Sequence, residues 1–320
     1  METAPSISII IATYNVEQFI GATLESVQAQ TVGDWECIVV NDGSIDNTGA
    51  IAERYAAADS RIRVVQQSNT GRALAANRGF SLISPSSEFV TFMDGDDVWL
   101  PDALEIFCGE LNKHPEAVAV NGLAEYIDSR GSPLEPGRFS EQGRTRLGVK
   151  GSNVTVLDPS DPTTFASLAW SKSIWPPGVL LGRRKVYDLL AGPFDSAMWP
   201  CDDMDIAIRL NRHGNIHFLD RVILLYRRHA NNESGIRTDF GKVLRRVSDK
   251  TFFSLENTRE QQKLLVRGWR AWQKLYAKEH LRHALAGIRE GRISTALDFT
   301  GRFLIAGIRW VRGYPTMKGV

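Results

Sequence analysis

The chain is short of cysteine and has no long hydrophobic run. Its three cysteines, Cys37, Cys108 and Cys201, lie far apart, with no CxxC pair and no histidine nearby at zinc spacing. That excludes a disulfide scaffold and a thiolate zinc site, and leaves buried or idle thiols of a reducing compartment. No window approaches the roughly 18 uncharged apolar residues that a membrane span needs. The N-terminal Met1-Glu2-Thr3-Ala4-Pro5 carries no basic region, and the apolar stretch after it, Ile7 to Ala12, is too brief for a signal-peptide core. The expectation is a cytoplasmic protein, at most peripheral at the inner face of the cell membrane. A glycine-rich turn is missing too: no glycine falls between Ala12 and Phe19, and GxxxxGK[ST] occurs nowhere. A Rossmann dinucleotide site and a P-loop are therefore disfavoured.

What is present is the composition of a soluble globular chain, 320 residues with 43% hydrophobic and 23% charged, which argues against disorder and fibrous repeats. The formal net charge of +1 conceals a division. Up to residue 220 there are 17 basic against 29 acidic residues, a balance of −12; the last hundred hold 21 against 8, a balance of +13. An acidic body argues against nucleic acid as a partner, and a basic C-terminal segment asks what anionic surface it meets.

The first hundred residues alternate strand and helix. Ser6–Ala12, Glu36–Asp42, Arg61–Val65 and Glu88–Met93 are continuous, β-branched-rich runs of the kind covered on both faces. Between them, Val16–Gln30 places Phe19, Ile20, Leu24 and Val27 on one helical face, and Thr48–Ala58 and Gly71–Ile83 read as further helices. Right-handed crossovers then give a doubly wound, mostly parallel α/β sheet, whose ligands bind beyond the C-terminal strand ends. The residues there are Thr13-Tyr14-Asn15, Asp42-Gly43-Ser44 and Asp94-Gly95-Asp96-Asp97, and all three clusters should converge on one rim.

Three acids within four residues repel one another unless neutralised, and a divalent cation is the simplest neutraliser. Carboxylate oxygens suit Mg²⁺ or Mn²⁺, ions that keep open positions for phosphate oxygens. The alternative is a solvated acidic turn capping the helix that begins near Pro101.

The ordered segments Ser8–Asn15, Ser26–Thr31, Val39–Thr48, Asn69-Thr70-Gly71 with Asn77, and Phe92-Met-Asp-Gly-Asp-Asp-Val-Trp99 resemble the signature of family-2 glycosyltransferases with the GT-A fold. The resemblance continues through Gly192-Pro-Phe-Asp195, Asp202-Asp-Met-Asp-Ile-Ala-Ile-Arg-Leu210 and Tyr226-Arg-Arg-His229, covering about residues 6 to 235. It implies a nucleotide-sugar-binding half, 1–110, an acceptor-binding and catalytic half, 111–235, and a helical basic extension, 236–320, outside the likeness. It also implies an inverting, hexosyltransferase-type enzyme that uses a nucleotide-diphosphate sugar, a UDP-sugar first, on a saccharide or lipid-linked acceptor in cell-surface polysaccharide or glycoconjugate synthesis.

By that likeness Asp42 meets a uracil-type ring, with Thr13, Tyr14 and Asn15 beside it; an Asx-turn in Asp-Gly-Ser is the other reading. Asp96 and Asp97 share the ribose hydroxyl and the metal, Asp94 supports their loop, and Asn77 reaches the donor. Arg72 reads rather as an exposed helix residue. Asp203 aligns with the family's base and would take the acceptor proton. Asp202, beside it, stands where the family usually has Glu, one methylene shorter at an acceptor contact. The local alternative is a trio, Asp202, Asp203 and Asp205, favouring a helix dipole. His229 could meet the metal, and Arg227 or Arg228 phosphate. Trp170, Trp175 and Trp199 offer flat faces for sugar, with Trp175 and Trp199 the acceptor candidates. Residues 129 to 164, rich in Gly, Ser, Pro and charge, read as a mobile insertion over bound donor.

From Phe240 to Arg312 helical spacing returns, with Leu281, Leu285 and Ile288, then Leu297, Leu304, Ile308 and Val311. Residues 281–312 either lie in an anionic membrane interface or dock on the acidic body or a second subunit of a homo-oligomer. Two other functional classes compete with the transferase. A catalytically silent nucleotide-sugar-binding scaffold would be indifferent to loss of Asp203, and a nucleotidyltransferase would need a basic glycine loop after the first strand, which is missing.

Overall fold

The computed structural model describes residues 5–171, 174, 176–230, 232 and 240–312. Its first part follows the alternation expected: β1 (Ile7–Thr13), α1 (Ile20–Gln28), β2 (Trp35–Asp42), α2 (Thr48–Ala58), β3 (Ile62–Gln67), α3 (Arg72–Phe80) and β4 (Phe89–Asp94). Ile9, Ile10 and Ile11 in β1 and Cys37 to Val40 in β2 are all buried. Helices cover both faces of these strands, so a continuous apolar run, rather than alternation, is what the site requires. The strands are parallel in the order β3-β2-β1-β4. The crossover direction reverses at β1, which opens a crevice beyond the ends of β1 and β4.

The same sheet continues through elements with weaker local signals. These are β5 (Val98–Trp99), α4 (Ala103–Lys113), β6 (Ala119–Ile127), β9 (Leu180–Arg183) and β10 (Ile216–Arg227). The full order is β3-β2-β1-β4-β9-β6-β10-β5, with β9 antiparallel to both β4 and β6, and β10 parallel to β6. The result is a mostly parallel, eight-stranded α/β sheet flanked by helices, with helices again at the C-terminus.

Residues 129–164 are not the loose insertion expected. They hold α5 (Arg138–Arg144) and a hairpin of β7 (Leu147–Lys150) and β8 (Asn153–Val156). Arg146 is buried with its guanidinium 3.9 Å from the Phe218 ring centre, and Thr163 exchanges backbone hydrogen bonds with Ile216. A polar composition therefore hides a docked segment, because the charge in it finds a ring and backbone carbonyls rather than water.

The remaining helices are α6 (Phe165–Ser171), α7 (Arg184–Tyr187), α8 (Asp202–Asn211), α9 (Phe240–Phe253), α10 (Arg259–Arg289) and α11 (Ile293–Arg312). Thr258 caps α10 in a reciprocal box with Gln261. Trp170 of α6 packs against Trp269 at 5.5 Å, and a Cβ on Gly268 would fall 2.3 Å from its indole nitrogen. Trp170 thus anchors the extension and does not serve a sugar.

Candidate active site

A cavity of about 720 Å³ opens at the C-terminal rim of the sheet. The three loop clusters meet there as expected: Thr13, Tyr14 and Asn15, then Asp42, then Asp94 and Asp96 all line it. Two glycines permit the approach. A Cβ on Gly95 would lie 2.7 Å from Thr13 Cγ2, so the acidic turn can fold against β1 only without a side chain there. Gly43 has φ +75°, and a Cβ there would lie 2.6 Å from Asn69 N. Asn15 takes φ +52° and spends its side chain as acceptor from Ile45 N at 2.9 Å.

Asp42 is buried. Its Oδ1 accepts from Thr70 N at 2.9 Å and Gln67 Nε2 at 2.7 Å, and its Oδ2 from Gly71 N at 2.8 Å. These bonds are not those of an Asx-turn; the Asp-Gly-Ser turn is braced by Asn41, whose Oδ1 accepts from Ser44 N and Ser44 Oγ. Asp42 instead ties the end of β2 to the loop entering α3.

The acidic turn divides its work. Asp96 Oδ2 lies 2.9 Å from His229 Nε2 and 3.3 Å from Asn232 Nδ2, on the cavity wall. Asp97, expected as a metal ligand, does not line the cavity. It is fully buried and accepts from Arg227 N at 3.0 Å, while its other oxygen has no hydrogen-bond partner. Burial, then the charges of Asp96 and Asp94, hold its carboxyl well above the usual range. Its place is structural, beneath the turn. Arg227 is structural too, donating to Asp96 O at 2.8 Å and Asp128 O at 3.2 Å, whereas Arg228 faces the cavity.

For a divalent cation, the Asp96 carboxylate and the His229 imidazole are two cavity-lining donors that lie side by side. Their 2.9 Å separation matches neighbouring ligands of an ion bound at about 2.1 Å. One or two protein ligands with room for phosphate oxygens is how Mg²⁺ and Mn²⁺ are commonly held, so the residues fit such an ion. Among the described residues the group of three close ligands is elsewhere. Glu110, His114 and His217 gather within 4.8 Å by the start of β10, at the opposite rim.

Across the cavity stands the N-terminus of α8. Asp203 lines the wall, and Asp202 is fully buried behind it, paired with Arg72 at 2.5 Å. Burial and the neighbouring Asp202 charge push the Asp203 carboxyl up to about 7. Arg72 opposes that rise. Asp205 is buried and bonded to Arg209 at 2.9 Å and Lys250 at 2.7 Å, which ties α8 to α9. The three acids are thus not an equivalent dipole cluster; Asp202 and Asp203 both border the cavity, with Asp202 paired to Arg72, while Asp205 is consumed in ion pairs away from it.

Arg72 was the residue least visible in the sequence. It is not an exposed helix residue: its side chain is 16% exposed and spans the two acidic clusters, 3.5 Å from Asp94 and 2.5 Å from Asp202. Burial alone would depress its guanidinium, but Asp202, Asp94 and Asp203 more than reverse this and raise it. Its partners are 22 and 130 residues away, beyond any local pattern. Asn77, expected at the donor, instead donates to Phe194 O and accepts from Phe194 N, both at 2.8 Å. Arg209 donates to the carbonyls of Gly192 and Pro193 just before it. Together they fix the loop that carries Phe194 under Arg72, at 5.1 Å.

Trp199 also lines the cavity, with Tyr126, Tyr226, Pro176, Pro177 and Met204. Trp175 lies outside the described residues. Tyr126 and Tyr226 were not anticipated as site residues; a run Ala117–Val120 before Tyr126 was the available signal for the strand that brings it there.

The comparisons with known proteins bear on the family and the fold. Glycosyl transferase family 2 matches residues 8–190, more than half the chain. EpsH of Bacillus subtilis (strain 168), named a glycosyltransferase, is 39% identical over 129 residues, 40% of this chain and 37% of its own length. EpsJ of the same organism is 28% identical over 229 residues, 71% of this chain and 62% of its own. The chain thus spans less than two thirds of these curated relatives. Among solved structures, Staphylococcus aureus TarS 1–349 in complex with UDP-GlcNAc is similar with a TM-score of 0.59 at 17% identity, over 96% of this chain and 92% of that one. The mannosyltransferase PcManGT from Pyrobaculum calidifontis, with GDP-Man and Mn²⁺, gives 0.54 at 16% identity, over 97% and 88%. At these identities the structures speak for the fold, which is of the GT-A type, and the sequence match speaks for the family: the chain belongs to glycosyl transferase family 2.

Proposed function

We propose that this protein is an inverting glycosyltransferase that moves a sugar from a nucleotide-diphosphate sugar to an acceptor hydroxyl, with Asp203 as general base. The observation that carries the reading is the opposition of two acidic walls across one cavity. Asp96 with His229 offers a cation site on one side, and Asp203 a carboxylate poised near neutrality on the other. A base is most effective when its pKa is close to the working pH.

Residues 1–110 form the donor half, with Thr13, Tyr14, Asn15 and Asp42 around the base and Asp94 and Asp96 near the diphosphate. Residues 111–235 form the acceptor half, with Trp199 and Tyr226 as flat surfaces for a saccharide. Mg²⁺ or Mn²⁺, held by Asp96 and His229, would supply charge neutralisation for the departing diphosphate. The acceptor oxygen bonds to the anomeric carbon as its proton passes to Asp203, and the bond from that carbon to the diphosphate oxygen breaks on the opposite face. Arg72 anchors Asp202 behind Asp203 through the 2.5 Å ion pair. UDP-GlcNAc in TarS and GDP-Man in PcManGT support a nucleotide sugar as donor; a UDP-sugar is the first to try. A saccharide or lipid-linked acceptor of cell-surface polymer synthesis is the acceptor class to test.

The test is a panel of UDP-, GDP- and dTDP-sugars, read by thermal stabilisation and by Mn²⁺-dependent release of the nucleotide diphosphate. One nucleotide class should stabilise the protein, and Asp203→Asn should keep that stabilisation while losing transfer. A panel without any binding would sink the reading.

A further inference from the structure

One face of α10 changes character along its length. Arg259, Lys263, Arg267, Arg270, Lys274, Lys278, Leu281, Leu285 and Ile288 recur at spacings of four and three, which keeps them on a single stripe. The first six are basic and the last three apolar. At about 1.5 Å per residue the stripe runs roughly 44 Å. All but Lys274 are exposed, and Ile288 is 64% exposed.

The basic part borders a groove of about 780 Å³ between α10 and the β7–β8 turn, where Ser152 sits across from Arg259, Lys263, Arg267, Arg270 and Lys274. Among the described residues only Lys263 of the six cations has an acidic partner, Glu260 at 2.8 Å; Lys274 donates to Asn153 Oδ1 at 2.9 Å. Elsewhere the half-buried Arg72, Arg209 and Lys250 each have aspartate partners. The row on α10 has no such balance within the fold. At the far end α11, folded back on α10 with Phe299 against His283 at 4.9 Å, adds exposed Ile293, Leu297, Leu304 and Ile305.

We propose that this stripe docks the protein on the surface of an anionic phospholipid bilayer, the cations among the headgroup phosphates and the apolar end of the α10–α11 hairpin in the interface. Charge complementarity favours this occupant: a soluble polyanion would match the six cations but gain nothing from the seven exposed apolar side chains that follow. Contact is interfacial, since among the described residues no helix is long and apolar enough to cross a membrane. The acidic body, −12 up to residue 220, is repelled by the same surface, which orients the molecule tail-down. The membrane-facing segment expected at 281–312 is thereby extended to a face beginning at Arg259, whose charge lies mainly before residue 281.

Co-sedimentation of the full chain with vesicles tests it. Binding to phosphatidylglycerol vesicles should exceed binding to phosphatidylcholine vesicles by at least about tenfold and weaken markedly between 50 and 500 mM NaCl, roughly as Debye screening demands. The triple variant Lys263→Gln, Arg267→Gln, Arg270→Gln should lose at least about tenfold in affinity at an unchanged melting temperature. Leu281→Gln with Leu285→Gln and Ile288→Gln should abolish the fraction that survives high salt. Equal binding to both vesicle types, or a triple variant that binds as well as the parent, overturns the proposal. So does tight binding of soluble inorganic polyphosphate with no vesicle association, which would make the groove a polyanion site. Asp203→Asn should bind vesicles like the parent, so failure here and failure of the transferase reading are separable.

Discussion

The two acidic clusters that face each other across the cavity contain the same residue type and play different parts. At 94–97 both Asp94 and Asp96 line the cavity, Asp96 with an imidazole 2.9 Å away, and the buried member, Asp97, is held beneath the turn by Arg227 N. At 202–205 the cavity-facing member, Asp203, accepts from Met204 N at 2.7 Å, and the buried members pair with Arg72, Arg209 and Lys250. What separates them is the partner, since composition and spacing are nearly alike. On the proposed reading, the carboxylate beside an imidazole on the cavity wall serves as a ligand, and the one crowded by a buried neighbour's charge, with its pKa near 7, serves as the proton acceptor.

The largest expected effect comes from removing the acceptor. Asp203→Asn should lower transfer by about 10³-fold, within the range general-base catalysis supplies, with donor affinity little changed. The substitution should also raise the melting temperature above pH 7. The folded-state pKa is raised over the unfolded one, so stability falls as pH rises from about 4 to about 7 and the ionised carboxylate is a liability beyond that. Unchanged transfer by Asp203→Asn would erase the distinction between the clusters.

Asp96→Asn should cost less, about 10²-fold in transfer, and millimolar Mn²⁺ should restore part of it, since an amide oxygen is a weaker ligand than a carboxylate. Its pH profile should keep the parent's shape. In the parent, kcat/KM should fall about tenfold per pH unit below about 7, because protonated Asp203 cannot take the acceptor proton. An acid limb that moves with Asp96→Asn and not with changes around Asp203 would invert the assignment.

Arg72→Gln joins the clusters in one experiment. It leaves Asp202 buried without its counter-charge, for which about 3–5 kcal/mol of destabilisation is typical. If Asp202 stays ionised, Asp203 loses an opposing positive charge and the acid limb moves to higher pH. Urea titration and the pH profile read the two consequences separately.

How much of this was open to sequence reading follows from range of interaction. β1 to β4 were legible because each is a local run between turn residues, and the three loop clusters followed from the rule for parallel sheets. The residue types of the two acidic walls and the match of Asp203 to a motif were legible as well. Arg72 was not, because a short helix rich in alanine gives no hint of partners on α8. Asp97 was misjudged because two adjacent aspartates in a turn look alike until β10 supplies the amide that turns one inward. Residues 129–164 looked loose because composition cannot show that Arg146 finds the Phe218 ring.

Asn77 gives the smallest effect and separates contact from support. Its amide makes two hydrogen bonds with the Phe194 backbone and none with the cavity clusters. Asn77→Ala should therefore cost about 1–3 kcal/mol through unsatisfied buried backbone groups, while the KM for donor stays within about twofold. Any loss in kcat should be modest, arising because Phe194 no longer holds the Arg72 guanidinium over its ring at 5.1 Å. A donor KM raised tenfold with normal stability would return Asn77 to the donor contact that its motif implied. It would also mean that the loop around Phe194 moves when the nucleotide binds, so that the base-bearing wall is positioned by donor rather than by the fold.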